Sequence, residues 1–240
     1  MTVVFVHGVP DTQHVWDAVV SRLDRRDVVR VSLPGFGSPA PAGFSATKEA
    51  YVDWLIGQLT ALPSPIDIVG HDWGALLTVR VMSLRPTLVR SWAAGGAPLD
   101  REYVWHQVAQ AWQTPGKGEQ IMAALTPEAM TANLVSAGVP PADAAKTAAR
   151  VDPTMKRCIL ALYRSAVHVG VEWEDDLRRV SAAGLVLWGE EDPFAAVGFG
   201  RRLAQRTQAG FVSFRDCSHW WQLERPAEVA AELSQHWAGL

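Results

Sequence analysis

The sequence predicts an α/β fold: a mostly parallel sheet of about six strands, helices on both faces, and one helical insertion. Three observations carry this. Short, β-branched apolar runs recur along the chain, nearly free of polar residues, as strands covered on both faces must be. Helical patterns separate these runs, and alternation of strand with helix implies parallel pairing. The rhythm fails only between about residues 98 and 176, where nothing reads as a strand.

Residues 3–6 form the first predicted strand, followed by a helix over 12–23 and a second strand over 28–32. A helix over 47–62 leads to the strand 66–69, the helix 72–84 and the strand 91–94. Beyond the break come the strand 185–188, the helix 198–205, the strand 211–214 and a helix over 226–237, where Pro226 suits a first turn. Inside the break, Thr126-Pro127-Glu128 and Val139-Pro140-Pro141-Ala142-Asp143 have the composition of helix starts. Residues 1–97 and 177–240 are therefore expected to form the core and residues 98–176 a helical cap. Such a lid would exclude water and shape a pocket. Its aromatic residues, Tyr103, Trp105, Trp112, Tyr163 and Trp173, could line that pocket.

Composition narrows the partners. A net charge of −3 with both signs interspersed offers no basic face for nucleic acid. Cys158 and Cys217 lie far apart, which fits two buried free thiols in a reducing cytoplasm. No CxxC or His/Cys cluster suggests a metal. The apolar opening is too short for a signal peptide, and no segment is long enough to span a membrane. A cytoplasmic protein acting on a small apolar or aromatic molecule is the expectation, with no metal or organic cofactor.

The most informative motif is Gly70-His71-Asp72-Trp73-Gly74, which follows the strand 66–69 and opens a helix. Strand, sharp turn flanked by small residues, then helix is the setting of a nucleophile elbow. The side chain at its apex is a carboxylate, Asp72. A carboxylate nucleophile makes an ester with an alkyl carbon, which suits ring opening or carbon–halogen displacement. An Asp at a helix start can also serve only the helix dipole. Two further residues argue against that reading. His219, in Cys217-Ser218-His219-Trp220, follows the last strand, where a base could reach the elbow. Asp192, before Pro193 and after the preceding strand, could orient and stabilise that imidazole. Glu190 and Glu191 compete for the role, but the turn into Pro193 favours Asp192. The chain order nucleophile, acid, histidine is that of α/β-hydrolases. After the first strand, His7-Gly8-Val9-Pro10-Asp11 can present the Val9 N–H, which with the Trp73 N–H would form an oxyanion hole. His7 reads either as a second base or, preferably, as a brace for that loop.

With these residues in place the chain resembles the α/β-hydrolase fold, and within it the epoxide hydrolase and haloalkane dehalogenase branch with an Asp nucleophile. The resemblance covers nearly the whole chain, through residues 7–10, Leu33-Pro34-Gly35-Phe36-Gly37-Ser38, the elbow and the His219 segment. Asp216-Cys217-Ser218-His219-Trp220-Trp221-Gln222 is similar to the histidine loop of soluble epoxide hydrolases. Tyr163 stands where those enzymes place a ring-opening lid tyrosine. Trp112-Gln113-Thr114-Pro115-Gly116-Lys117-Gly118-Glu119 resembles a lid segment of theirs, and Val9 replaces the halide-binding Asn of many haloalkane dehalogenases. The resemblance implies that Tyr163 donates a proton to the epoxide oxygen, Asp72 forms an alkyl ester, and His219 with Asp192 drives its hydrolysis to a vicinal diol.

Two departures stand out. The family's second lid tyrosine falls at Val108, so either Tyr163 works alone or His106, Trp112 or Trp105 substitutes, Tyr103 being out of register. That gap keeps a haloalkane or haloacid dehalogenase in view, since Trp73 and one lid Trp could bind a halide through their N–H groups. A non-catalytic small-molecule receptor on the same fold is a third reading, and an esterase a weaker one. The second departure is that two strands which usually open the family's sheet are missing. The strand 28–32 would then be an edge, shielded by a partner subunit in a homodimer or by the N-terminal residues.

Overall fold

The computed structural model describes all 240 residues. Six strands form one wholly parallel sheet: β1 (Val3–Val6), β2 (Val28–Val31), β3 (Ile66–His71), β4 (Val89–Gly95), β5 (Ala183–Gly189) and β6 (Gly210–Phe214). Their order is β2-β1-β3-β4-β5-β6. Each lies within a few residues of its predicted place. β1 and β3 are buried along their whole length, which explains their apolar sequence. The exception is Asp67 in β3, fully buried yet held by Arg90 at 2.9 Å through two nitrogens, by Ser91 at 2.6 Å and by Arg25 at 3.0 Å. Burial opposes its charge, but these donors more than compensate and lower its pKa.

The core helices are α1 (Asp17–Val20), α2 (Lys48–Thr60) and α3 (Trp73–Leu84) before the insertion. After it come α10 (Val197–Thr207), α11 (Trp221–Glu224) and α12 (Pro226–Ala238). The single helix predicted over 12–23 is replaced by a 3-10 turn, Gln13–Trp16, and the one-turn α1. Thr12 provides no side-chain cap, and Trp16 is fully buried between Phe5 and Trp221, at ring distances of 5.1 and 5.7 Å. That tertiary packing, absent from a local reading, sets the turn.

The stretch between β4 and β5 holds helices and connecting loops and no strand. It contains α4 (Gln107–Gln113), α5 (Lys117–Ala124), α6 (Pro127–Ser136), α7 (Pro141–Ala148), α8 (Pro153–Ser165) and α9 (Val169–Trp173). Thr126 caps α6 and Asp152 caps α8, each accepting from a backbone N–H three residues on and each followed by a proline that needs no such bond. The stretch's two ends are clamped together. Buried Asp100 accepts from Arg202 at 2.7 Å and Arg206 at 3.0 Å, and buried Glu174 binds Arg101 and Arg206.

β2 lies at one edge of the sheet. The N-terminal residues do not shield it. Met1 pairs with Asp27 at the start of β2, and the Thr2 carbonyl accepts from Asp67 on the far side of β1. Those residues lie within the sheet because β1 is itself an interior strand. Arg30, paired to Asp17, gives the edge a charge instead.

Candidate active site

The sheet order reverses between β1 and β3, and in open α/β sheets the crevice at such a switch point, beyond the carboxyl ends of the strands, is where ligands bind. Val9 follows β1 and Asp72 follows β3, one on each side of it. Asp72 has φ 52° and ψ −125°, a positive φ that costs free energy in a non-glycine residue. Its neighbours explain how the turn is held. A methyl at Gly70 would strike the Gly74 carbonyl, and one at Gly74 would strike the Val6 carbonyl, so strand and helix approach as closely as backbones can. The Asp72 N–H donates to the Gly95 carbonyl at 3.0 Å, anchoring the turn to β4.

The carboxylate is held in a defined pose. The Val9 N–H donates to Asp72 Oδ2 at 2.7 Å, and Gly8 has no side chain because the same carboxylate occupies that space. Asp72 Oδ1 stands 3.8 Å from His219 Nε2, too far for a hydrogen bond. Burial raises the Asp72 pKa, against the pull of the His219 charge and of the Val9 and Trp73 N–H groups.

His219 Nδ1 lies 2.8 Å from Asp192 Oδ2, and both residues are buried. Asp192 Oδ1 accepts from the N–H groups of Phe194 at 2.8 Å and Ala195 at 3.0 Å, so the turn through Pro193 fixes the carboxylate. Glu190 and Glu191 are exposed, and Glu190 bonds Ser213 instead. Burial alone would lower the His219 pKa. The charge and hydrogen bond of Asp192, with the charge of Asp72, outweigh it and push the value to about 9. Asp192→Asn should therefore move the His219 titration, read by NMR of the free protein, to lower pH. It should also slow turnover by roughly 10³–10⁴-fold, as loss of an orienting carboxylate does elsewhere. An unmoved titration would remove Asp192 from this role.

Two residues not singled out from the sequence support His219. His71 is fully buried, and burial with the nearby His219 charge drives its pKa well below the usual value, so it is neutral. Its Nε2 lies 2.9 Å from the His219 carbonyl, which can only accept, so Nε2 carries the proton. Nδ1 must then accept, and the donor is Gln222 Nε2 at 3.0 Å. The chain of donors ties the elbow to the histidine loop. Asp11 is the other omission: buried, accepting from Trp220 Nε1 at 2.9 Å, with a pKa raised to about 7 by burial first. Both flank motifs that are legible in the sequence, but their partners come from distant segments. His7 is a brace. Its Nδ1–H donates to the Gly8 carbonyl at 2.8 Å while Nε2 accepts from the Leu33 N–H at 3.1 Å, and burial lowers its pKa to about 4.

A cavity of about 440 Å³ opens above Asp72 and His219. Tyr163 of α8 forms part of its wall, packed edge-on against Trp73 and Trp112 at ring distances of 5.5 and 4.9 Å. Burial and the Asp72 charge hold the Tyr163 hydroxyl well above its ordinary pKa, so it keeps its proton. The substitute donors fare differently. Trp105 lines the cavity, but its N–H donates to the Ala166 carbonyl at 3.2 Å, which corrects its candidacy as a donor. His106 lines the cavity, accepts from the Ala109 N–H at 3.3 Å and is held near pKa 4 by burial. Trp112 lines it too, with a buried N–H that has no partner. Tyr103, out of register with the lid motif, also lines the cavity, its hydroxyl donating to the Phe194 carbonyl at 3.1 Å. Val108 sits at the cavity wall, half exposed. Trp173 is not in the wall; it packs under Arg80 and Lys48.

Comparison with known proteins bears on the family and the fold. The sequence profile of the alpha/beta hydrolase family matches residues 3–232. A probable oxidoreductase, EphD, of Mycobacterium tuberculosis is 40% identical over 81 residues, 31% of this chain and 14% of that protein. An epoxide hydrolase of Caballeronia sordidicola is 37% identical over 91 residues, 35% of this chain and 27% of that protein. The aligned region thus spans well under a third of either relative. Among solved structures, a haloalkane dehalogenase loop variant, DbeA-M1 from Bradyrhizobium elkanii, superposes with a TM-score of 0.78 at 17% identity, covering 99% of this chain and 90% of that one. No helix of the structure is long and apolar enough to cross a membrane.

Proposed function

The chain belongs to the alpha/beta hydrolase family, and we propose that it opens an epoxide to a vicinal diol through an ester on Asp72. One observation carries the reading: an elbow carboxylate, a tyrosine that keeps its proton, and a histidine backed by Asp192 share one apolar cavity. Asp72 Oδ2 is held by the Val9 N–H, which leaves Oδ1 to attack a ring carbon. Tyr163 donates its proton to the ring oxygen as the carbon–oxygen bond breaks. In the ester, Oδ2 becomes the carbonyl oxygen and already sits at the donors that would stabilise the tetrahedral oxyanion. Ester formation also removes the Asp72 charge, one of the three that raise the His219 pKa. The imidazole thus becomes a base at the stage that needs one. It returns its proton to the Tyr163 phenolate and then takes one from water; the hydroxide attacks the Asp72 carbonyl carbon, the acyl carbon–oxygen bond breaks, and the departing diol oxygen takes the new carboxyl's proton, which restores the Asp72 carboxylate. The residues of 98–176 act in this scheme as the lid.

A second reading has its own observation. The buried N–H of Trp112 lacks a partner, the Trp73 side chain faces the Tyr163 hydroxyl, and both rings flank Tyr163, an arrangement that suits a departing halide. A paired assay of a 1,2-epoxyalkane and a bromoalkane separates the two: diol without bromide release is expected, and bromide release alone overturns the epoxide reading. Tyr163→Phe sharpens the test. It should slow epoxide opening by about 10²–10⁴-fold, the usual value of a general acid, and leave any halide displacement within a fewfold, because halide departs without a proton. Equal losses on both would deny Tyr163 the acid role.

A further inference from the structure

We propose that the cavity selects uncharged substrates with an extended aliphatic substituent, seated between α5 and α6 against Ile121, Leu125, Met130 and Leu134. This rests on the epoxide reading for the reacting end of the substrate and adds the chemistry of the rest. The cavity is a seam between two separate apolar clusters. One contains Tyr163, Leu76 and Val9, the other Trp220, Met130 and Leu134, and Leu125 packs against both. The wall is accordingly of two kinds. Aromatic rings crowd the reacting groups, whereas the side built from α5 and α6 is aliphatic. Asn133 and Ser136 of α6 also line the cavity and are exposed, so that side leads to solvent.

Size argues for an extended occupant. At about 30 Å³ for each water-sized group, 440 Å³ has room for on the order of fifteen groups. An epoxide ring takes up only a small part of that. Charge argues for a neutral one. No lysine or arginine lines the cavity. The one cation at the reacting end is His219, and three carboxylates, Asp72, Asp192 and Asp11, stand close enough to raise its pKa. A bound carboxylate would meet net negative charge in a desolvated, apolar space with no partner.

The test uses binding, so it does not depend on turnover. Dissociation constants of n-alkyl amides, from butanamide to hexadecanamide, and of the carboxylates of equal length are measured calorimetrically at neutral pH on the whole protein. Affinity should tighten about three- to fourfold per methylene and level off at about thirteen carbons, where the chain and its amide fill the volume above. Each amide should bind at least about tenfold tighter than its carboxylate. Ile121→Trp, at a half-buried position in the wall, should level the series at shorter chains. Affinity independent of chain length, or carboxylates that match amides, overturns the proposal on the unaltered protein alone. Diol assays of 1,2-epoxybutane and 1,2-epoxydecane run in parallel. If decanamide binds as described and neither epoxide reacts, the aliphatic seat stands and the hydrolase reading falls. If both react with equal kcat/KM, the seat falls and the hydrolase reading stands.

Discussion

His219→Gln is expected to trap the protein as its own ester. Glutamine fills similar space but cannot take a proton from water, so Asp72 attack proceeds while hydrolysis stops. After incubation with an epoxide, the intact mass should rise by the mass of one substrate, and the gain should map to the peptide containing Asp72. Steady turnover should fall by about 10³-fold or more, the scale for removing the base from an acid–base assembly. The geometry favours accumulation over simple inactivity. His219 makes no hydrogen bond to Asp72 in the free protein, at 3.8 Å, so its loss leaves Oδ2 held by Val9 and Oδ1 free. Normal turnover by this variant would show that another group is the base, and His106, neutral and in the cavity wall, is the group to examine next.

Asp72→Ala should abolish turnover, by about 10⁴-fold or more, while leaving the fold intact. Two opposing effects limit the stability change. Alanine tolerates the positive φ of the elbow less well than aspartate, at a cost of about 1–2 kcal/mol. In return, a buried carboxylate whose pKa is raised by burial disappears. Melting temperature should thus move by no more than a few degrees, and no ester should form. Substrate-dependent labelling of another residue in this variant would place the nucleophile elsewhere.

The strands were legible because parallel strands buried on both faces need continuous apolar sequence, and local composition records that. The triad candidates were legible for a related reason. Asp72, Asp192 and His219 each follow a strand directly, so the sheet carries them to one edge and strand order does the rest. The preference for Asp192 over its glutamate neighbours also came from a local feature, the turn into Pro193. What the sequence hid was set by distant partners. Asp67 breaks an apolar run and is tolerated because Arg25, Arg90 and Ser91 converge on it. Trp105 has the right ring in the right wall, but its N–H is committed to Ala166, 61 residues away. Tyr103 falls out of register with the lid motif, yet the loop before α4, which begins only at Gln107, brings its ring to the same wall.

The central claim is that oxygen passes from Asp72 to the product and is replaced from water. Turnover in water enriched in heavy oxygen tests it directly. The first turnover should give a diol with ordinary oxygen, donated by the Asp72 carboxylate, and repeated turnovers should place heavy oxygen in the Asp72 peptide. Heavy oxygen in the diol from the first turnover, with none in Asp72, would mean that water attacks the substrate itself and would contradict the ester mechanism.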